Sequence, residues 1–193
     1  QTWTQTALNN KTVLSLAISG NNIFAGTFDY SSFPGGVYLS TNNGQSWTQM
    51  ALDSLTIHSL AISGNNIFAG TYNYSSFTGG VYLSTNNGQS WTKSALNYQD
   101  VFSLAANGNN IFAGTRINGV YLSTNNGQNW TQTALNNQSV MSLAISGNNI
   151  FAGTTNSGVY LSTNNGQSWA QTALNNQYVL SLAISGNNIF AGT

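Results

Sequence analysis

The stretch Ser139–Gln177, SVMSLAISGNNIFAGTTNSGVYLSTNNGQSWAQTALNNQ, contains nearly everything that the rest of the chain repeats. Trp3, Trp47, Trp91, Trp130 and Trp169 mark its copies, with spacings of 44, 44, 39 and 39 residues. A period near 40 residues signals a repeat architecture, and the content of one unit decides which. Each copy carries short β-rich runs. In the first full copy these are VLSLAIS (Val13–Ser19), IFAGT (Ile23–Thr27), GVYLST (Gly36–Thr41) and SWTQM (Ser46–Met50), called strands A to D. Gly20-Asn21-Asn22 and Asn42-Asn43-Gly44 separate them and supply the positive-φ positions that tight hairpins need. Gly or Asn interrupts every run before a helix could establish itself.

Four antiparallel strands per unit describe a propeller blade. The sequence therefore predicts an all-β, five-bladed β-propeller of four-stranded antiparallel blades, filling one domain over 1–193. A D strand at 1–8 would belong to the closing blade. Repeats follow at about 9–52, 53–96, 97–135 and 136–174, with a partial repeat at 175–193. The last blade lacks an obvious third strand. Three readings stay open: the stretch is a fragment of a longer chain, another chain fills the gap, or the blade is incomplete and Thr and Asn protect its edge. Starting at Gln1 without Met fits a processed or partial chain. Strict alternation would place Leu14, Leu16 and Ile18 on one sheet face and Val13, Ser15 and Ala17 on the other. Each Trp is expected in strand D, sealing the seam between blades.

The C–D hairpins read STNNGQSW at Ser40–Trp47, Ser84–Trp91 and Ser162–Trp169, and STNNGQNW at Ser123–Trp130. They resemble the Asp-box, or BNR, repeat (S-x-D-x-G-x-x-W) of sialidases, sortilin-type receptors, some glucanases and photosystem II assembly factors. The resemblance implies a turn between the third and fourth strands of a propeller blade. Its turn-formers would be Ser40, Asn42, Gly44 and Trp47; then Ser84, Asn86, Gly88 and Trp91; Ser123, Asn125, Gly127 and Trp130; and Ser162, Asn164, Gly166 and Trp169. Asn stands where the motif has Asp. Asn still accepts a backbone N–H bond, so the turn should survive, but an acidic calcium loop loses its ligand charge.

Composition removes several function classes. Charged residues make up 3% of the chain, against about 25% in ordinary soluble domains. Three Lys/Arg balance three Asp, and Glu is absent. A nucleic-acid partner is excluded, because neutralising phosphates takes many cations. With no cysteine there is no disulfide or thiolate metal site. No apolar run nears the roughly 18 residues of a membrane span, so no membrane insertion is expected. The resemblance would bring a sialidase arginine cluster, yet Arg116 is the one arginine. Glycoside hydrolysis ordinarily needs two positioned carboxylates, and Asp29, Asp53 and Asp100 fall in different repeats. The expectation is a protein that is not an enzyme, with no catalytic residues, metal or cofactor.

Function then has to reside where the copies differ. The B–C loops read FDYSSFPGG (28–36), YNYSSFTGG (72–80), RING (116–119) and TNSG (155–158). The D–A loops carry Lys11, Asp53, His58, Tyr98, Asp100 and Tyr178. In a propeller both loop sets share one rim, so six of the seven Lys, Arg, Asp and His residues gather there, Lys93 being the exception. Phe28, Tyr30, Phe33, Tyr72, Tyr74 and Phe77 are the candidate ligand-binding residues, since exposed rings beside hydroxyls and amides suit sugars or protein surfaces. The alternative is that these loops fold over one another and cap the first two blades. His58 has no second imidazole with which to share a metal, and Asp53 and Asp100 read as turn caps. The overall reading is an extracellular or cell-surface module binding a glycan or protein. The alternatives are a structural subunit that self-associates through the open blade edge, forming an oligomer or fibre, and an engineered or recently duplicated repeat scaffold.

Overall fold

A computed structural model describes residues 2–28, 35–73 and 79–193. All regular structure in them is β. The first repeat forms β1 (Val13–Ser19), β2 (Asn22–Thr27), β3 (Gly36–Ser40) and β4 (Thr48–Gln49). The second forms β5 (Thr56–Ser63), β6 (Asn66–Tyr72), β7 (Gly80–Ser84) and β8 (Thr92–Asn97). The third forms β9 (Val101–Asn107), β10 (Asn110–Thr115), β11 (Val120–Ser123) and β12 (Thr131–Gln132). The fourth forms β13 (Val140–Ser146), β14 (Asn149–Thr154), β15 (Val159–Ser162) and β16 (Ala170–Gln171). The chain ends in β17 (Ser181–Ser185) and β18 (Asn188–Gly192). These strands make four four-stranded antiparallel sheets, each in sequence order, and one two-stranded sheet. Strands A to C lie within a residue of their sequence-based limits in the first repeat. Strand D is shorter there, because Trp47 ends the turn and pairing begins at Thr48.

The sheets pack face to face in succession: β1 on β5, β5 on β9, β9 on β13 and β13 on β17. A repeated bulge sets this contact. The register of β1 on β2 shifts between Val13 and Ser15, and β5 and β13 shift at the same place. The shift turns the residue at its start, Ile57 in β5 and Val140 in β13, onto the face of the Leu and Ile three and five positions on. Strict alternation is therefore corrected: Ile57, Leu60 and Ile62 share one cluster, and Val13 shares a concave face with Leu16.

Each seam places large side chains against small ones. Gly26, Gly70, Gly114 and Gly153 lie in the B strands. A Cβ on any of them would come within 2.7 Å of Ile57, Val101 and Val140 on the following sheet and, for Gly153, of Val179 two residues before β17. Those four β-branched side chains are fully buried. Beside them sits the B-strand phenylalanine: Phe24, Phe68, Phe112 and Phe151 are between 0% and 6% exposed. Serine hydroxyls tie the inner strands together, accepting the Leu60 amide at Ser15 and the Leu104 amide at Ser59, both at 2.9 Å.

The two ends differ from the middle. The outer face of the first sheet leaves Leu16 61% and Ile18 68% exposed, and the last sheet leaves Phe190 57% exposed. The expected N-terminal D strand lies outside regular structure. Residues 6–7 rest on the first repeat's own turn, where the Ala7 amide donates to Gly44 O at 3.4 Å, and Trp3 stands 98% exposed. Trp3 therefore seals no seam.

Candidate functional site

The Asp-box-like turns recur along the chain, and their chemistry is explicit. Ser40 Oγ accepts the Gly44 amide at 2.8 Å and donates to Asn42 Oδ1 at 3.0 Å. Asn42 Oδ1 also accepts the Ser46 amide at 2.9 Å, while Asn42 Nδ2 donates to Ser46 Oγ at 2.9 Å. Asn43 and Gly44 hold φ of 57° and 80°. The bonds to the serine hydroxyl and the asparagine oxygen repeat at Ser84, Asn86 and Gly88, at Ser123, Asn125 and Gly127, and at Ser162, Asn164 and Gly166, and the Nδ2 bond recurs at Asn86 and Asn164, where a serine again follows. Asparagine fits because its oxygen gathers donors while its amide gives one back, which a carboxylate cannot do.

The indoles complete these turns and are partly buried. Trp91 and Trp130 donate from Nε1 to Gly88 O and Gly127 O, each at 3.1 Å, and Trp169 donates to Thr133 Oγ1 at 3.3 Å. Each packs on the seam with the preceding sheet. Shallow grooves of about 340 and 280 Å³ run between a D strand and the next turn, past Thr133 and Gly166 in one case and Ser94 and Gly127 in the other. Their recurrence follows from the repeat.

The rim where B–C and D–A loops meet departs from that uniformity. The two loop sets do lie together: the Arg116 amide donates to Asp100 O at 3.0 Å, and Gly36 packs on Leu52 and Asp53. Tyr30, Phe33, Tyr74 and Phe77 lie outside the described residues. Phe28 is half-buried, its amide donating to Thr12 O at 2.9 Å. Tyr72 is 7% exposed, in contrast to the exposed ring read from the sequence. It packs in a ring cluster, 5.7 Å from His58 and 5.8 Å from Phe102, with His58 and Phe102 4.8 Å apart. Burial there lowers the His58 pKa to about 4, so the imidazole is neutral near pH 7.

Around this cluster stand groups that a search for aromatic loops passes over. Arg116 lies 6.0 Å over the Tyr72 ring and pairs with Asp100 at 3.8 Å. Burial raises the Asp100 pKa, and Arg116 opposes the shift by charge and hydrogen bonding. Asp100 Oδ1 is buried with no hydrogen-bond partner among the described residues. Gln99 Oε1 accepts from Asn118 Nδ2 at 2.8 Å. Tyr98, in the left-handed region at φ 57°, is 71% exposed, and Lys93 Nζ sits 5.5 Å from its ring centre. The signal for these residues was available, since RING differs from TNSG at Arg116 and the third D–A loop alone carries Tyr98-Gln99-Asp100. Among the described residues, no group of three His, Cys, Asp or Glu could hold a metal, and no helix is long and apolar enough to cross a membrane.

Residues 82–93 match the BNR/Asp-box repeat family model. No curated protein matches the sequence. Several solved structures share the fold. The computationally designed Ika8 protein superposes with a TM-score of 0.70 at 17% identity, over 93% of this chain and 55% of that one. The Niastella koreensis GH74 enzyme gives 0.72 at 18% identity, over 94% of this chain and 33% of the enzyme. The extracellular domain of a hybrid two-component system protein from B. thetaiotaomicron, BT4673, gives 0.72 at 22%, over 94% and 26%. The chain thus spans about half or less of each. Residues 82–93 thus carry a BNR/Asp-box repeat, its Ser-Asn-Gly-Trp turn recurs four times with asparagine at the motif's acidic position, and the antiparallel sheets that bear these turns share the fold of those solved structures.

Proposed function

We propose that the chain is a non-enzymatic binding module, extracellular or on a cell surface, that takes a glycan or a protein through the rim of repeats 2 and 3. One observation carries the reading: in an otherwise uniform repeat, this rim concentrates Arg116, Asp100, exposed Tyr98 and Lys93 beside one of the two long B–C loops. An exposed phenol offers a face on which a sugar ring or apolar side chain can stack. Arg116, 46% exposed at its side chain, offers hydrogen-bond donors directed by its pairing with Asp100. Hydrolysis finds little support in the sequence, whose three aspartates, Asp29, Asp53 and Asp100, fall in different repeats. The likeness to the extracellular domain of a two-component system protein and the charge-poor, Asn/Thr/Ser-rich sequence favour an outside location.

The test is a glycan array together with a protein pull-down. It compares the intact chain with Tyr98→Ala and with a variant whose loops 28–36 and 72–80 are cut to the length of 116–119. Selective loss in both variants is the expected result. Equal binding by all three proteins removes the proposal.

A further inference from the structure

We propose that Asn107 is a modification site, where the side chain reacts with the backbone of Gly108 and deamidates without an enzyme. The reactive unit is a dipeptide that recurs along the chain, at Asn43-Gly44, Asn87-Gly88, Asn107-Gly108, Asn118-Gly119, Asn126-Gly127 and Asn165-Gly166. Glycine has no side chain to screen its amide nitrogen, so that nitrogen can reach the preceding asparagine's Cγ. A bond forms from the glycine nitrogen to Cγ and closes a five-membered succinimide. The Cγ–Nδ2 bond breaks, and ammonia leaves with the proton of the glycine amide. Water then adds to one carbonyl of the ring and displaces the ring nitrogen, leaving aspartate or isoaspartate. Water is the only co-reactant, and nothing is oxidised or reduced.

Five of the six pairs are locked. In the four Asp-box-like turns the glycine amide donates to a serine Oγ at 2.8–2.9 Å, from Gly44 to Ser40, Gly88 to Ser84, Gly127 to Ser123 and Gly166 to Ser162. These glycines are buried, and the attacking nitrogen must first give up its hydrogen bond. In the fifth pair the Gly119 amide donates to Gln138 O at 2.9 Å, and Asn118 Nδ2 is held by Gln99 Oε1 at 2.8 Å. Each of the five glycines also has other groups within 4 Å of where a Cβ would stand, which limits the backbone movement that ring closure needs.

Asn107-Gly108 lies in the turn between β9 and β10, away from the rim, and lacks both restraints. Asn107, Gly108 and Asn109 are exposed, and the Gly108 amide has no hydrogen-bond partner among the described residues. A Cβ on Gly108 would meet nothing within 4 Å, so the turn has room to bend. The restraint on Asn107 is an exposed bond from Nδ2 to Gly147 O at 3.1 Å, which engages the leaving nitrogen and not the attacking one. The site belongs to this repeat alone, because its counterparts are Ser19, Ser63, Ser146 and Ser185, whose hydroxyls cannot form the ring.

The product differs from the parent in charge and in contact. A new carboxylate, ionised at neutral pH, takes a chain of zero formal net charge to one negative charge. The donor to Gly147 O is lost, and with it a tie between the A–B turns of the third and fourth repeats. Isoaspartate further adds a backbone carbon where Asn107 pairs with Asn110 to close the hairpin.

The test holds the folded 193-residue chain at mildly alkaline pH in heavy-oxygen water and follows its chymotryptic peptides by mass spectrometry. Asn107 should take up the label at least about tenfold faster than the asparagine of any other Asn-Gly pair, since those must break a hydrogen bond first. Isoelectric focusing should show one early acidic step. Asn107→Ser, which copies the residue of the sister repeats, should fold like the parent and lose that step. In concentrated denaturant the six rates should converge. Equal rates in the folded chain, or earlier reaction at a serine-locked pair, overturn the proposal. So does an Asn107→Ser variant that acidifies as fast as the parent. A lead for Asn107 that persists undiminished in denaturant also overturns it, since the preference would then lie in the neighbouring letters and not in the fold.

Discussion

Val140→Ala set against Val13→Ala measures what a seam contributes, because both valines occupy one position of one repeat. Val140 is fully buried, with a Cγ 2.7 Å from where a Cβ on Gly114 would stand. Truncation removes two methyl groups, worth about 0.8 kcal/mol each as transfer free energy. The facing backbone cannot collapse into the gap, so a void of roughly 40 Å³ adds about 1 kcal/mol at ~24 cal/mol per Å³. The sum is about 2–3 kcal/mol, which lowers the melting temperature by roughly 5–10 °C for a chain of this size. Val13 loses the same atoms but is 39% exposed and has no facing sheet, so its cost should stay below about 1 kcal/mol. Urea titration followed by tryptophan fluorescence, at a concentration where the chain is monomeric, gives both values. Costs equal within about 0.5 kcal/mol would refute the seam argument.

Other outcomes follow from the same geometry. Gly70→Ala pushes a methyl against Val101 Cγ1 at 2.7 Å and Val101 O at 3.2 Å. It should destabilise by about 1–3 kcal/mol in the same titration. Ser84→Ala leaves the Gly88 amide without its 2.9 Å acceptor and should cost about 1–3 kcal/mol. Asn86→Asp keeps both accepted bonds and should change the urea midpoint little. Because His58 has a folded pKa of about 4 against 6.5 unfolded, its contribution is intact above pH 6.5. It falls away between pH 6.5 and 4 as the unfolded chain takes up the proton first, amounting to at most about 3 kcal/mol. His58→Gln should flatten that part of a stability–pH profile, and an unchanged slope would show the imidazole is not held neutral.

Much of this fold was legible because its turns are chemically explicit. Ser40, Asn42 and Gly44 form a hydrogen-bonded unit within a few residues, so their letters alone dictate the local structure. The bulge after Val13 was not legible, since strict alternation describes an unbroken strand. Nor was the burial of Tyr72, which depends on Phe102 and His58 arriving from two neighbouring A strands. The open ends were hidden for a simpler reason. Val13 and Val140, or Phe24 and Phe190, are the same residue in the same motif, and only the presence of a neighbouring sheet tells them apart. At the rim, Arg116 and Asp100 meet across a loop-to-loop contact with no short-range signature, whereas the aromatic loops drew notice by their length and their rings.

Amide hydrogen exchange tests the central claim, that successive sheets are tied by identical seams and that the first sheet has an open face. The Leu60 and Leu104 amides donate across seams to Ser15 and Ser59. Leu16 holds the same register against its own B strand but has no preceding sheet to donate to. In dilute solution Leu60 and Leu104 should exchange slowly and Leu16 at least a hundredfold faster, about 2.7 kcal/mol of local protection. Equal protection at the three leucines would contradict the account.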